Sequence, residues 1–260
     1  MTPPDYVRLR QICLATTDIK KAEHDLSHLL GLDVCHRSQL ENFGLENIMF
    51  AVNGTFIEIV APVVENTTVH RFLAKNQGRG GYMAIFDCRD VTKHKALAEA
   101  AGVDPIFERY NEKADLLQLN PKQTGAAMME FDHHYGGDDR LGCYEWAGDT
   151  WQEQLSTEVT SDILGIEFCS PKAAMRAELW AKLCDKPLHS GETGIQDIQL
   201  DYGVLTFRQN TKSQQEMLTT INMTVKNRSQ VLKQAEILGC ATTENSFECC
   251  GVTFRLQSAA

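Results

Sequence analysis

Apolar and polar positions along the chain fall into one pattern that recurs four times. From Leu9 to Ala15 they largely alternate, as in a strand. Asp18 then stands where a helix would be capped, and Ile19–Leu30 carries apolar residues at helical spacing until Gly31 stops it. A looser copy starts at Gly81, with Asp90 as cap and Gly102 as stop. A third runs from Ile163, with Ser170 as cap and Pro171 at the first helical position. In a fourth, from Thr219, Asn227 and Ser229 compete for the cap and Gly239 is the stop. Strand-like residues follow each copy, at Asn47–Ala61, Pro105–Phe131, Ile198–Arg208 and Phe247–Leu256. A strand–helix–strands unit repeated along the chain predicts an α+β repeat architecture.

Details within the units sharpen that pattern. Asn53-Gly54 between two apolar runs predicts a hairpin turn, because both residues accept positive φ. A short helix is expected over Val69–Lys75, and a turn at LNPKQTG. Glu58 and Glu130 each sit in mid-strand among apolar residues, at matching places in the first two units. A carboxylate there is costly without a partner, so it asks for a cation, a donor or a proton. No glutamate takes that place in the third and fourth units. Residues 136–157 lack periodicity and carry Trp146 and Trp151, which predicts a connector packed on the first two units.

Composition narrows the function classes. The net charge of −10, without a long basic cluster, disfavours nucleic-acid and anionic-membrane surfaces. No apolar run is long enough to span a bilayer, and MTPPDYVRLR lacks the apolar core of a secretory signal. The nine cysteines are odd in number and form no CxxC pair, which suits reduced thiols in a cytoplasmic protein. A small-molecule ligand is the expected partner, and four units allow a monomer or a homodimer.

These residues resemble the vicinal oxygen chelate superfamily of glyoxalase I, extradiol dioxygenases and bleomycin-resistance proteins. VHRFLAKNQGRGGYMAIF, LNPKQTGAAMMEF and EWAGDTW look like a glyoxalase-like branch of it. The resemblance implies four βαβββ modules paired into two glyoxalase-like domains, 1–135 and 158–260, around the 136–157 connector. It further implies a cavity with one divalent metal ion (Zn, Ni, Mn or Fe). Counting seven residues back from the capping aspartates carries the metal positions to Gln11 and Met83, and the last-strand positions to Glu58 and Glu130. Met83 stands where glyoxalase I has a histidine, and a thioether is a poor replacement for imidazole. The two-histidine set of ring-cleaving dioxygenases is missing.

The implied function is a glyoxalase-like lyase or isomerase acting on a small carbonyl or vicinal-oxygen substrate. Gln11, Glu58 and Glu130 would hold the metal, and Glu58 or Glu130 would be the catalytic base. Arg71, Tyr82, Met83, His134 and Trp146 are the expected substrate contacts. The alternative is a metal-free binding protein for a drug or metabolite, using the same cavity. Blander readings stand beside each residue: a vestigial glutamate pair, a surface Arg71, core aromatics, and a solvent-exposed His134.

Overall fold

The computed structural model describes residues 5–191, 194–211 and 214–259. The first module is β1 (Val7–Ala15), α1 (Ile19–Leu30), β2 (Val34–Leu40), β3 (Leu45–Val52) and β4 (Thr55–Pro62). A short helix, α2 (Thr68–Lys75), leads to the second: β5 (Gly81–Cys88), α3 (Val91–Ala100), β6 (Pro105–Tyr110), β7 (Ala114–Leu119), the one-turn α4 (Pro121–Thr124) and β8 (Met128–His134). Their strands form one sheet in the order β2-β3-β4-β1-β5-β8-β7-β6. After the connector come β9 (Thr160–Ser170), α5 (Ala173–Cys184), β10 (Leu188–Ser190), β11 (Gln196–Gln199) and β12 (Val204–Gln209). The fourth module is β13 (Met217–Val225), α6 (Arg228–Ile237), β14 (Ser246–Cys249) and β15 (Val252–Ser258). These make a second sheet, β10-β11-β12-β9-β13-β15-β14. The four repeats are therefore paired modules on two sheets, with one strand of the last reduced to an isolated Thr242–Phe247 bridge.

Local chemistry explains where the elements begin and end. Asp18 accepts from the Lys21 N–H, Asp90 from Thr92 and Lys93, and Asn227 from Gln230, each satisfying helix-start donors. Gly31 ends α1 in the left-handed conformation at φ 64°. Asn53 and Gly54 have φ 46° and 83°, joining β3 to β4 in the expected turn. The third helix start departs from expectation. Ser170 ends β9, its hydroxyl accepts from the Lys172 N–H at 2.9 Å, and α5 begins two residues beyond Pro171. The strand is longer than expected and takes the serine into its last pairing, Gln209–Ser170.

The chain divides into two compact units, one of Met1–Gln11, Met83–Glu145 and Gly165–Leu218, the other of Ile12–Tyr82, Trp146–Leu164 and Thr219–Ala260. The core of the first gathers Phe86, Phe131, Phe168, Trp180 and Phe207, with Phe168 and Phe207 stacked at 4.8 Å. The second buries Phe50, Phe56 and Trp151, the latter edge-on to Phe56 at 4.9 Å, and stacks Phe247 on Phe254. Among the described residues no helix is long and apolar enough to cross a membrane.

Candidate functional site

The alternation seen in β1 suggests a strand with one solvated face, but all nine of its positions are buried. Arg8 and Arg10 are therefore taken out of water and must find anions or acceptors. Asp87 on β5 supplies the anion. It accepts from Arg8 Nε at 3.0 Å and Nη2 at 2.5 Å, and Arg10 Nε stands 3.9 Å away. The connector supplies carbonyls: Arg8 also donates to Gly137 and Asp138, and Arg10 to Arg140. Burial lowers the Arg10 pKa to about 10 against the opposing pull of Asp87, so the guanidinium stays charged at neutral pH.

Beside this knot lies the first group of expected site residues. In the parallel β5–β8 pair Met83 faces Met128, Ile85 faces Glu130 and Asp87 faces Asp132. Glu130, Asp132 and His134 thus share one face with Met83 and Asp87. Glu130 is 3 % exposed and accepts from Gln118 Nε2 at 2.5 Å, across the β7–β8 register. Gln11, equally buried, accepts at 2.7 Å from the hydroxyl of Tyr144, a fully buried connector residue. Burial, then the Asp132 carboxylate, raises the Tyr144 pKa, with Glu130 adding to it and Arg10 opposing, so the phenol keeps the proton it donates. Arg10 lies over the Tyr144 ring at 4.7 Å.

His134 is not a solvent-exposed loop residue. It is completely buried, accepts from the Glu145 N–H at 3.1 Å and packs on Tyr144 at 4.4 Å. Burial, aided by Arg10, lowers its pKa to about 4. Its 3.7 Å approach to Asp132 is therefore a contact of neutral imidazole with carboxylate, not an ion pair.

The other compact unit holds Glu58, Arg71, Tyr82 and Trp146. Glu58 on β4 is 7 % exposed and accepts from Asn47 Nδ2 on β3 at 2.6 Å. Asn47 in turn accepts from the Ser38 N–H at 3.0 Å and hydroxyl at 2.7 Å on β2. Three successive strands thereby aim one carboxylate. Tyr82 is half-buried against Phe72 at 4.8 Å, and burial raises its pKa. Arg71 is exposed and donates to the Asn66 carbonyl at 2.6 Å, so its guanidinium closes its own loop. Trp146 is half-buried in a short 3-10 turn, Glu145–Ala147.

Gln11, Met83 and Glu130 thus belong to one unit and Glu58 to the other. Among the described residues no group of three His, Cys, Asp or Glu is placed to hold a metal ion. The donor chemistry fits a divalent ion poorly: Gln11 offers one neutral amide oxygen, which already accepts from the Tyr144 hydroxyl, and Met83 offers a thioether. Sequence reasoning missed Arg8, Arg10, Asp87, Asn47, Gln118 and Tyr144. The two arginines inside VRLRQICLA were the available signal, because a buried strand cannot leave them unpaired. Tyr144 sits in a stretch without periodicity and gave none.

The glyoxalase-like domain family matches residues 12–184. An uncharacterized protein YqjC of Bacillus subtilis is 25 % identical over 126 residues, 47 % of this chain and 89 % of that protein. An ethylmalonyl-CoA/methylmalonyl-CoA epimerase of Cereibacter sphaeroides is 22 % identical over 131 residues, 48 % of this chain and 96 % of that protein. The crystal structure of a hypothetical protein from Staphylococcus aureus covers 97 % of this chain and 100 % of its own, with a TM-score of 0.70 and 11 % identity. That last likeness speaks to the fold alone.

Proposed function

The chain belongs to the glyoxalase-like domain family of the vicinal oxygen chelate superfamily, and we propose that it exchanges a proton on the carbon beside a carbonyl of a small substrate. This is an isomerase- or epimerase-type reaction with a buried glutamate as base. The observation that carries the reading is a matched pair. Glu58 and Glu130 occupy equivalent last strands, and each takes a side-chain amide from the neighbouring antiparallel strand, Asn47 and Gln118. A side-chain amide donor fixes the plane of the carboxylate it meets, and a base must be held in a fixed orientation. No step is routed through a metal, because a neutral amide and a thioether make a poor donor set for a divalent ion. The domain limits 1–135 and 158–260 around the connector belong to this proposal, each domain drawing on its own sheet.

A second reading, a metal-free binding protein, is favoured by the Tyr144–Gln11 closure, which holds polar groups to each other rather than to a ligand. Proton exchange separates the two. The chain is incubated in D2O with methylmalonyl-CoA, chosen from the name of the epimerase relative, and with a hemithioacetal, with chelator or with added Zn²⁺. Deuterium entering the α-carbon in chelator, and falling about 10²-fold or more in Glu58→Gln or Glu130→Gln, supports the reaction. Binding without exchange supports the second reading. Exchange only with Zn²⁺ would overturn the metal-free reaction.

A further inference from the structure

The two-residue turns of the first and fourth modules have the same backbone and different chemistry. Val52 pairs with Thr55 across Asn53 and Gly54, and Cys249 pairs with Val252 across Cys250 and Gly251. Both central residues have positive φ in each turn, 46° and 83° against 50° and 69°. Asn-Gly suits that geometry, since asparagine tolerates the left-handed region. Cysteine has no such tolerance, and a residue held there points to a function that retains it.

The thiol brings a partner. Cys249 and Cys250 Sγ atoms are 3.7 Å apart, at the end of a hairpin. The turn also bears on another loop. A Cβ on Gly251 would lie 2.6 Å from Arg79 Cα, and one on Gly80 would lie 2.4 Å from the Cys250 carbonyl oxygen. Backbone therefore packs on backbone, and the Gly80 carbonyl also accepts from the Ala15 N–H at 2.7 Å. Residues 78–80 run directly into Tyr82.

We propose that Cys249 and Cys250 form a reversible oxidation site that closes to a disulfide on meeting a small-molecule disulfide, and that closure acts through the turn on loop 78–80. This site is independent of the proton-exchange reading. The hydrogen bond to Cys250, then burial, raises the Cys249 pKa, so Cys249 holds its proton and the less buried Cys250 attacks first. Its thiolate displaces one thiol from the small disulfide and leaves a mixed disulfide on Cys250. Cys249 then loses its proton, attacks the Cys250 sulfur and releases the second thiol. Two protein thiols are oxidised and one small disulfide is reduced to two thiols. Neighbouring Cα atoms stand about 3.8 Å apart, whereas ordinary disulfides span about 4.4–6.8 Å. The ring is therefore strained and readily reduced, as a reversible site requires.

The test treats the full chain with oxidised glutathione and reads peptide masses and hydrogen exchange. The expected result is loss of two hydrogens from the peptide containing Cys249 and Cys250, reversed by dithiothreitol, with exchange over 78–82 changed about threefold or more. Cys250→Asn copies the Asn53 turn, so it folds alike and should show neither change. Cys240 is the other free cysteine of the fourth module, and Cys240→Ser should still close the ring. A glutathione adduct that never closes, pairing with Cys240, or unchanged exchange at 78–82 on ring closure would each overturn the proposal.

Discussion

The eight-stranded sheet and the seven-stranded sheet are built from the same module, yet they treat polar groups differently. The first buries Arg8, Arg10, Gln11, Glu58, Asp87, Glu130, Asp132 and His134. Seven residues before Ser170 and Asn227 the second has Ile163 and Thr220 where the same count in the first gives Gln11 and Met83, and aromatic residues such as Phe168, Phe207, Phe247 and Phe254 fill its core. Its buried carboxylate, Glu167, meets Arg208 at 2.5 Å, and that arginine side chain is 38 % exposed and keeps part of its water. The module thus folds with far less charge in its interior. Burying charge costs stability unless every group is partnered, so the charges in the first sheet are not what makes the module fold.

That contrast can be broken most severely at Asp87. Asp87→Asn leaves Arg8 and Arg10 buried without their anion and should cost about 3–5 kcal/mol, read by urea unfolding. A loss below about 1 kcal/mol would show that the connector carbonyls alone satisfy the arginines. The next effect is in pH. His134 titrates at about 4 in the folded chain and near 6.5 when unfolded. Above 6.5 both states are neutral. As pH falls towards 4 the unfolded state gains the proton first, and stability drops by up to about 3 kcal/mol. Unfolding free energies at pH 7 and 4.5 should therefore differ less in His134→Gln. His94 is lowered in the same direction by burial, so the flattening is partial.

Tyr144→Phe comes third. It removes the donor to Gln11 and should cost about 1–2 kcal/mol by thermal or urea unfolding. The smallest effect belongs to the second sheet. Glu167→Gln should cost at most about 1 kcal/mol, because Arg208 can turn to solvent. If Glu167→Gln cost as much as Asp87→Asn, the distinction between the two sheets would fail.

Local signals were legible where a few residues decide the outcome. Asp18, Asp90 and Asn227 cap their helices, and Asn53-Gly54 turns its hairpin, because each contact closes within three residues. Ser170 misled for a non-local reason: strand pairing with β12 claimed it before the helix could. The position of Glu58 and Glu130 in their strands was also readable, since alternation places a side chain on a face.

The amino-acid sequence by itself determined the α+β modules, their fourfold recurrence, their caps and turns, and two carboxylates in equivalent strands. Only the tertiary structure decided what those groups meet. Arg8 finds Asp87 across 79 residues, and Gln11 finds Tyr144 across 133. Periodicity and capping are short-range and leave a trace in neighbouring residues. A buried polar group's partner depends on strand order and on where an irregular connector comes to rest, and neither is written within a few residues of the group itself.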